Sequence, residues 1–350
     1  MKKLLTKFRK KEVDKSSRIT NDTVAEHRER ILAGGRRFKY PVQYARHRLV
    51  FNAIIISVVA AILIGIIGWW QLYPAQNTSV FVYHITKVLP LAVASVDGQP
   101  VPYSDYLMRY RSETFYLAQK EQVNLTSDSG KRQVEYIKQK AMQSAIADAY
   151  AAKLANKLKL SISDTELAST LKLLRQSSDG EVSQQTQDAT ALGIYGWSPD
   201  EYHHILRTTL LRQKVAYAVD NNALKVMKSI ETQLKLAGST LQAVAQATNS
   251  AGANKVTYGV SGYVKRFNQD GGLARIAGTL KRDETSGAVK STTGDGYYFI
   301  RLLDSNDTQV SYEYIQVPLT EFDQQLATLQ KDGKTILYIS VQTPKTSKTP

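Results

Sequence analysis

The stretch LVFNAIIISVVAAILIGIIGWW, Leu49–Trp70, holds Asn52 and Ser57 as its only polar side chains and carries no charge. At about 1.5 Å of rise per residue it makes a helix on the order of 30 Å long, the hydrocarbon thickness of a bilayer. A helix apolar on every side for this length reads as a membrane span, because a surface helix of a soluble domain keeps a polar face. Residues 1–48 hold fifteen Lys/Arg against five Asp/Glu, with Arg36, Arg37, Lys39, Arg46 and Arg48 close to the start of the run. By the positive-inside rule this flank stays in the cytoplasm and everything after Trp70 lies outside it. Leu49 opens the span; Trp69 and Trp70, with Tyr73 just beyond, close it where amphipathic rings favour the headgroup layer. A cleaved signal is the competing reading, since Ala92-Val93-Ala94 forms an A-x-A pattern about twenty residues after the run. A secretory apolar core is about 7–15 residues long and abuts its cleavage site, so the longer, distant run is expected to be retained as an anchor.

Outward from the span, some 280 residues follow, enough for two domains of about 100–150 residues. The chain has no cysteine, which excludes disulfide staples, thiolate metal sites and a cysteine nucleophile. Its net charge of +15 divides into +10 for residues 1–48 and +5 for the remainder. The basicity is thus mostly a topology signal, with attraction to anionic lipid headgroups as a by-product. The basic segment lacks helical periodicity and any recognised binding motif, which argues against a nucleic-acid reader. P-loop, G-x-S-x-G, H-E-x-x-H and EF-hand patterns are all missing, and no cofactor is expected. His203 and His204 are adjacent, but successive helix positions point about 100° apart and neither has a ligand at i+4, so no metal is expected.

Taken in order, residues 1–48 read as a largely disordered basic tail, and residues 71–92, around SVFVYHITKV, as a linker or strand. From Val93 a short apolar strand, an Asp97-Gly98 turn and a second short strand lead into a helix with Tyr106, Leu107, Tyr110, Thr114 and Leu117 on one face. Val134–Leu160 shows helical spacing through Ile137, Ala141, Ile146, Ala149 and Leu154. Ser163 with Glu166, and Ser198 with Pro199 and Glu201, are capping boxes that open two further helices. These pieces resemble the SurA-like chaperone domain of the SurA, PpiD and PrsA group. The resemblance rests on VDGQPVPYSDYL, LSISDTEL and GWSPDEYHHILRTTLLRQKV in that order and covers about Val93–Val219. Pro102 departs from it, standing where a capping Thr or Ser is usual, with Ser104 as the substitute cap. The resemblance implies a helical domain that holds unfolded clients outside the cytoplasm.

Downstream, LQAVAQATNS, SGYV and AGTLKRDETSGAVKSTTGDGYYFIRLLD resemble, in order, parts of parvulin-type peptidyl-prolyl isomerases. That family implies a catalytic pair of histidines, one on the first strand and one in the last. Here the second position is Tyr298, no first strand precedes the helix at Ala223, and the five histidines are His27, His47, His84, His203 and His204. Gln269 and Leu273 fall where the apolar proline pocket usually has Met and Phe. Two phenols cannot share a proton as two imidazoles do, because Tyr titrates near pH 10 and His near 6.5. Catalytic residues are therefore expected to be absent. The missing first strand is expected from the C-terminal side, Gln309–Val317, with Tyr314 where its histidine would stand and Tyr298 beside it on the neighbouring strand.

The expected architecture is α+β: a tail (1–48), a span (49–70), a linker or strand (71–92), a SurA-like helical domain (93–220), a degenerate parvulin-like domain (221–341) and a disordered end (342–350). The expected role is that of a membrane-anchored holdase for newly exported or unfolded polypeptides, touching the lipid bilayer but neither nucleic acid nor metal. A peptidyl-prolyl isomerase with an unorthodox site and a structural adaptor for one membrane partner are the alternatives. The client-binding residues are not identified by the sequence.

Overall fold

The structure is a computed structural model; it describes residues 20–39, 41–177, 180–236, 238–252 and 255–341, so the expectation for the end at 342–350 and most of that for the tail before residue 20 lie outside the described residues. The chain divides into two units, Met1–Trp70 and Gln71–Pro350. The first holds helix α1 (Asn21–Lys39) and most of α2 (Pro41–Leu72). Residues 21–39 are helical where a disordered stretch was expected. The reason is local: AEHRERILA is rich in good helix formers, and Thr20 and Thr23 bond each other at the start, Thr23 Oγ1 donating to Thr20 O at 2.7 Å. From His47 to Leu72, α2 is the one helix among the described residues long and apolar enough to cross a membrane, and its most apolar window buries nothing.

The second unit opens with a further correction. Residues Val80–Val88 form a helix, α3, rather than a strand or linker: Ser79 caps it by accepting from Val82 N, and Val82, Tyr83 and Thr86 bury one face. Strands β1 (Ala92–Val96) and β2 (Gln99–Pro102) then make a hairpin across Asp97 and Gly98, both at positive φ (47° and 78°) as such a two-residue turn requires. Helix α4 (Tyr103–Gln119) follows without a side-chain cap; Ser104 lies inside its first turn and does not replace the missing cap at Pro102, while the Tyr103 N–H donates to Leu91 O. The long α5 (Asp128–Leu158) presents Ala141, Ala145, Ala149, Ala151 and Ala155, all buried, so that α4, β2 and α8 approach its backbone closely. After it come α6 (Asp164–Leu174), a small hairpin β3 (Gln176–Ser177) and β4 (Gly180–Glu181), α7 (Gln184–Tyr195) and α8 (Pro199–Val219). Both expected capping boxes form at α6 and α8, with the serine oxygen and the glutamate carboxylate each accepting a backbone N–H.

Past Asp220 lie α9 (Asn221–Leu234), α10 (Leu241–Ser250), β5 (Thr257–Lys265), α11 (Leu273–Ala277), β6 (Val289–Lys290), β7 (Gly296–Ser305) and β8 (Gln309–Pro318). The strands form one antiparallel sheet in the order β5-β8-β7-β6. Alternation along β7 sends Tyr297 and Phe299 to the face covered by α9 and α10, and Tyr298, Ile300 and Leu302 to the face under α11. The central strand is therefore apolar on both sides.

The chain then returns through α12 (Glu321–Lys331) and β9 (Thr335–Leu337). The sequence division put these with residues 221–341, but they pack elsewhere. Phe322 stacks near Tyr150 of α5 at 5.5 Å, the Tyr150 hydroxyl donates to Gln325 Oε1 at 3.0 Å, and β9 pairs with β1 to complete the sheet β2-β1-β9. A three-residue strand has too little pattern of its own to reveal a partner some 240 residues earlier. Exit and return meet at Asp220, whose Oδ1 accepts from Ala223 N (2.8 Å) while Oδ2 accepts from Thr320 N (2.8 Å) and Glu321 N (3.1 Å). One buried carboxylate thus caps both α9 and α12.

Candidate functional site

Two places gather side chains capable of recognition. The first is the face of the four-stranded sheet under α11. β8 lies between β5 and β7, and Ile300 opposes Tyr314 while Tyr298 opposes Gln316, so the two tyrosines sit diagonally on one face with ring centroids 5.8 Å apart. Tyr312 extends the row, 6.2 Å from Tyr314. The face is closed by bonds to carboxylates. Tyr298 donates to Asp295 Oδ2 at 2.7 Å, beside Thr293 Oγ1 (2.8 Å to Oδ1), Gln316 Nε2 (3.0 Å to Oδ2) and the Ser291 hydroxyl. Tyr312 donates to Asp270 Oδ2 at 2.7 Å.

Burial and the facing carboxylates push the phenols of Tyr298 and Tyr312 well above the ordinary tyrosine range. For Asp295 burial acts to raise the pKa, but the hydrogen bonds from Ser291, Tyr298 and Thr293 outweigh it and hold the acid below its usual value. These groups are locked donors and a locked acceptor. None is a base or acid poised near neutrality, and no histidine lies beyond His204 to supply one. Tyr314 covers the backbone of Gly259 on β5, where a Cβ would meet its Cζ and hydroxyl at 2.6 Å. Of the two residues expected at the proline pocket, Leu273 is buried in the same cluster and Gln269 is exposed.

The second place lies in the helical part. Helix α7 ends at Gly196 in the left-handed conformation (φ 68°), and a Cβ there would press on the Phe115 ring at 3.2 Å. This tight exit turns Trp197 inward between Tyr195 (centroids 4.6 Å, stacked) and Tyr202 (6.4 Å, stacked). Its indole Nε1 is buried with no hydrogen-bond partner. Two clefts of about 310 and 320 Å³ flank the ring and share Ser112, Tyr195 and Trp197. One is rimmed by Arg109 and the Lys140–Glu113 ion pair (2.8 Å). The other is rimmed by Tyr83, which donates to Glu201 Oε1 at 2.6 Å, and by Lys87, 3.3 Å from the same oxygen. Burial raises the Glu201 pKa, yet the bonds from Tyr83, Ser198 and Lys87 leave it below the carboxylate norm, so the rim keeps a fixed negative charge.

The arrangement offers aromatic and apolar surface beside mixed charge. Residues 43–216 match the SurA-like N-terminal domain family. No curated protein and no solved structure matches the chain. The match takes in the apolar helix and α3 as well as the region from Val93 on which the sequence reading relied. The aromatic clefts therefore lie within the matched residues, and the tyrosine-lined sheet lies beyond them.

The histidine pair of α8 does not assemble a metal site: His204 Nε2 lies 3.1 Å from Asp105 Oδ1, and among the described residues no group of three His, Cys, Asp or Glu could hold an ion. The Asp105 bond, stronger than the opposing effect of burial, raises the His204 pKa. Sequence reasoning missed Tyr195 and Trp197. The available signal was Tyr-Gly-Trp at a helix end, but Phe115, Ser112 and Tyr83 come from other elements and only the fold brings them to the ring.

Proposed function

We propose that this chain is a membrane-anchored chaperone that holds unfolded, newly exported polypeptides outside the cytoplasm, without proline isomerase catalysis. The observation that carries the proposal is the aromatic double cleft around Trp197 inside a SurA-like domain, joined through α2 to an apolar helix with a basic flank. Stacked, partly exposed rings take up apolar side chains of many sequences at little entropic cost, and the charged rims keep the surface soluble between clients. Leu49, Trp69 and Trp70 delimit the anchor, with the N-terminus cytoplasmic by the charge asymmetry.

The sheet bearing Tyr298 and Tyr314 is, in this account, a degenerate parvulin-like domain inserted into the SurA-like one. Strand β8 supplies what would be its first strand, and the two phenols occupy the place of the histidine pair. The isomerase alternative draws no support from a face on which the Tyr298 and Tyr312 hydroxyls are already bonded to Asp295 and Asp270.

Because Thr320 N donates to Asp220 Oδ2 at 2.8 Å, a short Gly/Ser linker can span the gap left by removing residues 222–319. The full chain and this deletion, both in nanodiscs, should suppress aggregation of an unfolded client alike. Loss of suppression in a deletion that retains its helical circular dichroism contradicts the proposal. Protease added outside intact cells should remove a C-terminal tag and spare an N-terminal one; the reverse pattern contradicts the topology.

A further inference from the structure

Helix α3 has a second, largely apolar face that nothing among the described residues covers. Its inward side buries Val82, Tyr83 and Thr86, as expected for an amphipathic helix. The outward side should then be polar. Instead Phe81 is 74% and Val88 81% exposed, with Val80 and Leu89 also exposed beside them, and His84 and Lys87 are the only polar side chains exposed among them. The helix carries no carboxylate, and Lys87 is its one charged residue. A nine-residue helix that is apolar on both sides needs a second apolar environment.

Its place in the chain says which. Residues 71–79 form a compact turn leading into α3: Asn77 N donates to Gln71 O and Asn77 Nδ2 to Gln71 Oε1, both at 2.9 Å, and Ser79 N donates to Asn77 Oδ1 at 2.8 Å. Gln71 is the residue after Trp70, so the first turn of α3 stays within a few ångströms of the chain's exit from the apolar helix. The same turn holds the end of β9 through Gln76 Nε2, which donates to Ser340 O at 3.0 Å, and there Tyr338 is exposed. Arg111 donates to Thr78 O at 2.9 Å and lies, like Lys87, over the inward Tyr83 ring, with Lys87 also 3.3 Å from Glu201.

We propose that α3 lies on the bilayer surface with Phe81, Val88 and Leu89 sunk into the boundary between headgroups and acyl chains. This rests on the reading of α2 as a membrane span. A short apolar helix in the interface, following the span directly, would fix the height of the SurA-like domain above the membrane instead of leaving it on a swivel. A client segment and a second copy of this chain are the other possible occupants of the face.

The protein has no cysteine, so single cysteines report one site each. Full-length protein carrying Leu63→Cys, Phe81→Cys, Val88→Cys or Asp307→Cys is spin-labelled and placed in vesicles of phosphatidylcholine with phosphatidylglycerol. Collision of each nitroxide with lipid-soluble oxygen is compared with collision with a water-soluble nickel chelate. The expected result is oxygen in excess at 63, 81 and 88, and nickel in excess at 307. Oxygen excess at 63 with nickel excess at 81 and 88 overturns this inference and leaves the span intact. Nickel excess at 63 removes the span and the inference together. Shielding from both reagents at 81 and 88, with spin–spin broadening between labels, assigns the face to a second copy and also overturns it.

Discussion

Removing the Asp220 carboxylate should unfasten the C-terminal return from the helical domain. The side chain is 1% exposed, and its two oxygens take three backbone N–H groups, one at the start of α9 and two at the start of α12. Thr320, the formal cap of α12, makes no side-chain hydrogen bond, so nothing local replaces the carboxylate there. Losing the α9 cap costs about 1 kcal/mol, and leaving the Thr320 and Glu321 donors unsatisfied adds about 1–2 kcal/mol each, giving roughly 3–5 kcal/mol for Asp220→Ala. Asp220→Asn is not a rescue. The amide has one acceptor end, so if it serves Ala223 its NH₂ faces the α12 donors, and a loss of about 2–4 kcal/mol remains. Hydrogen exchange resolves this better than a melting curve, since a two-unit protein need not unfold in one step. Protection should fall at Thr320 and Glu321 and, through detachment of β9, at Tyr338, whose N–H donates to Val93 O at 3.0 Å. Protection at all three unchanged in Asp220→Ala, or a stability loss below about 1 kcal/mol, would refute the assignment of this residue as the clasp.

Other consequences follow from the two sites. Gly259→Ala drives a Cβ against the Tyr314 ring and should destabilise the sheet by about 1–3 kcal/mol, measured by urea unfolding of the intact protein; a neutral effect would mean that the ring moves freely. Tyr195, 41% exposed at the mouth of the aromatic cleft, should weaken client holding by about 1 kcal/mol, roughly fivefold, when changed to Ala, with the fold unaltered by circular dichroism. Asp295 has a depressed pKa, so its contribution is complete above the unfolded value near 3.9 and disappears as pH falls through the lower folded value. Acid exchange at β7 and β8 should show that dependence, and Asp295→Asn should lack it.

The sequence made some of this architecture visible because the signals are local. Ser163 with Glu166, Ser198 with Glu201, and Asp97-Gly98 each determine a cap or a turn from a few neighbouring residues, and all three form as read. The pairing of β8 with β7 was legible for a different reason: the resemblance leaves Tyr297–Leu303 without its neighbouring first strand, and consecutive strands usually pair. Helix α3 misled because Val, Phe, Tyr, Ile and Thr in succession favour strands by propensity, whereas the Ser79 cap and the burial of Val82, Tyr83 and Thr86 settle it as a helix. The location of α12 and β9 was hidden since periodicity states what an element is and not what it packs against. The cleft around Trp197 was hidden for the same reason, its walls being drawn from four helices.

The central claim is that this protein holds clients and does not isomerise them. Its most direct test is the refolding of a proline-limited substrate in the presence of the full chain in nanodiscs, followed at once by light scattering and by the slow folding phase. The account predicts suppressed aggregation in proportion to the amount of chaperone, with the rate of the slow phase unchanged. Acceleration of that phase at amounts far below the substrate, or scattering undiminished at equal amounts, would contradict it.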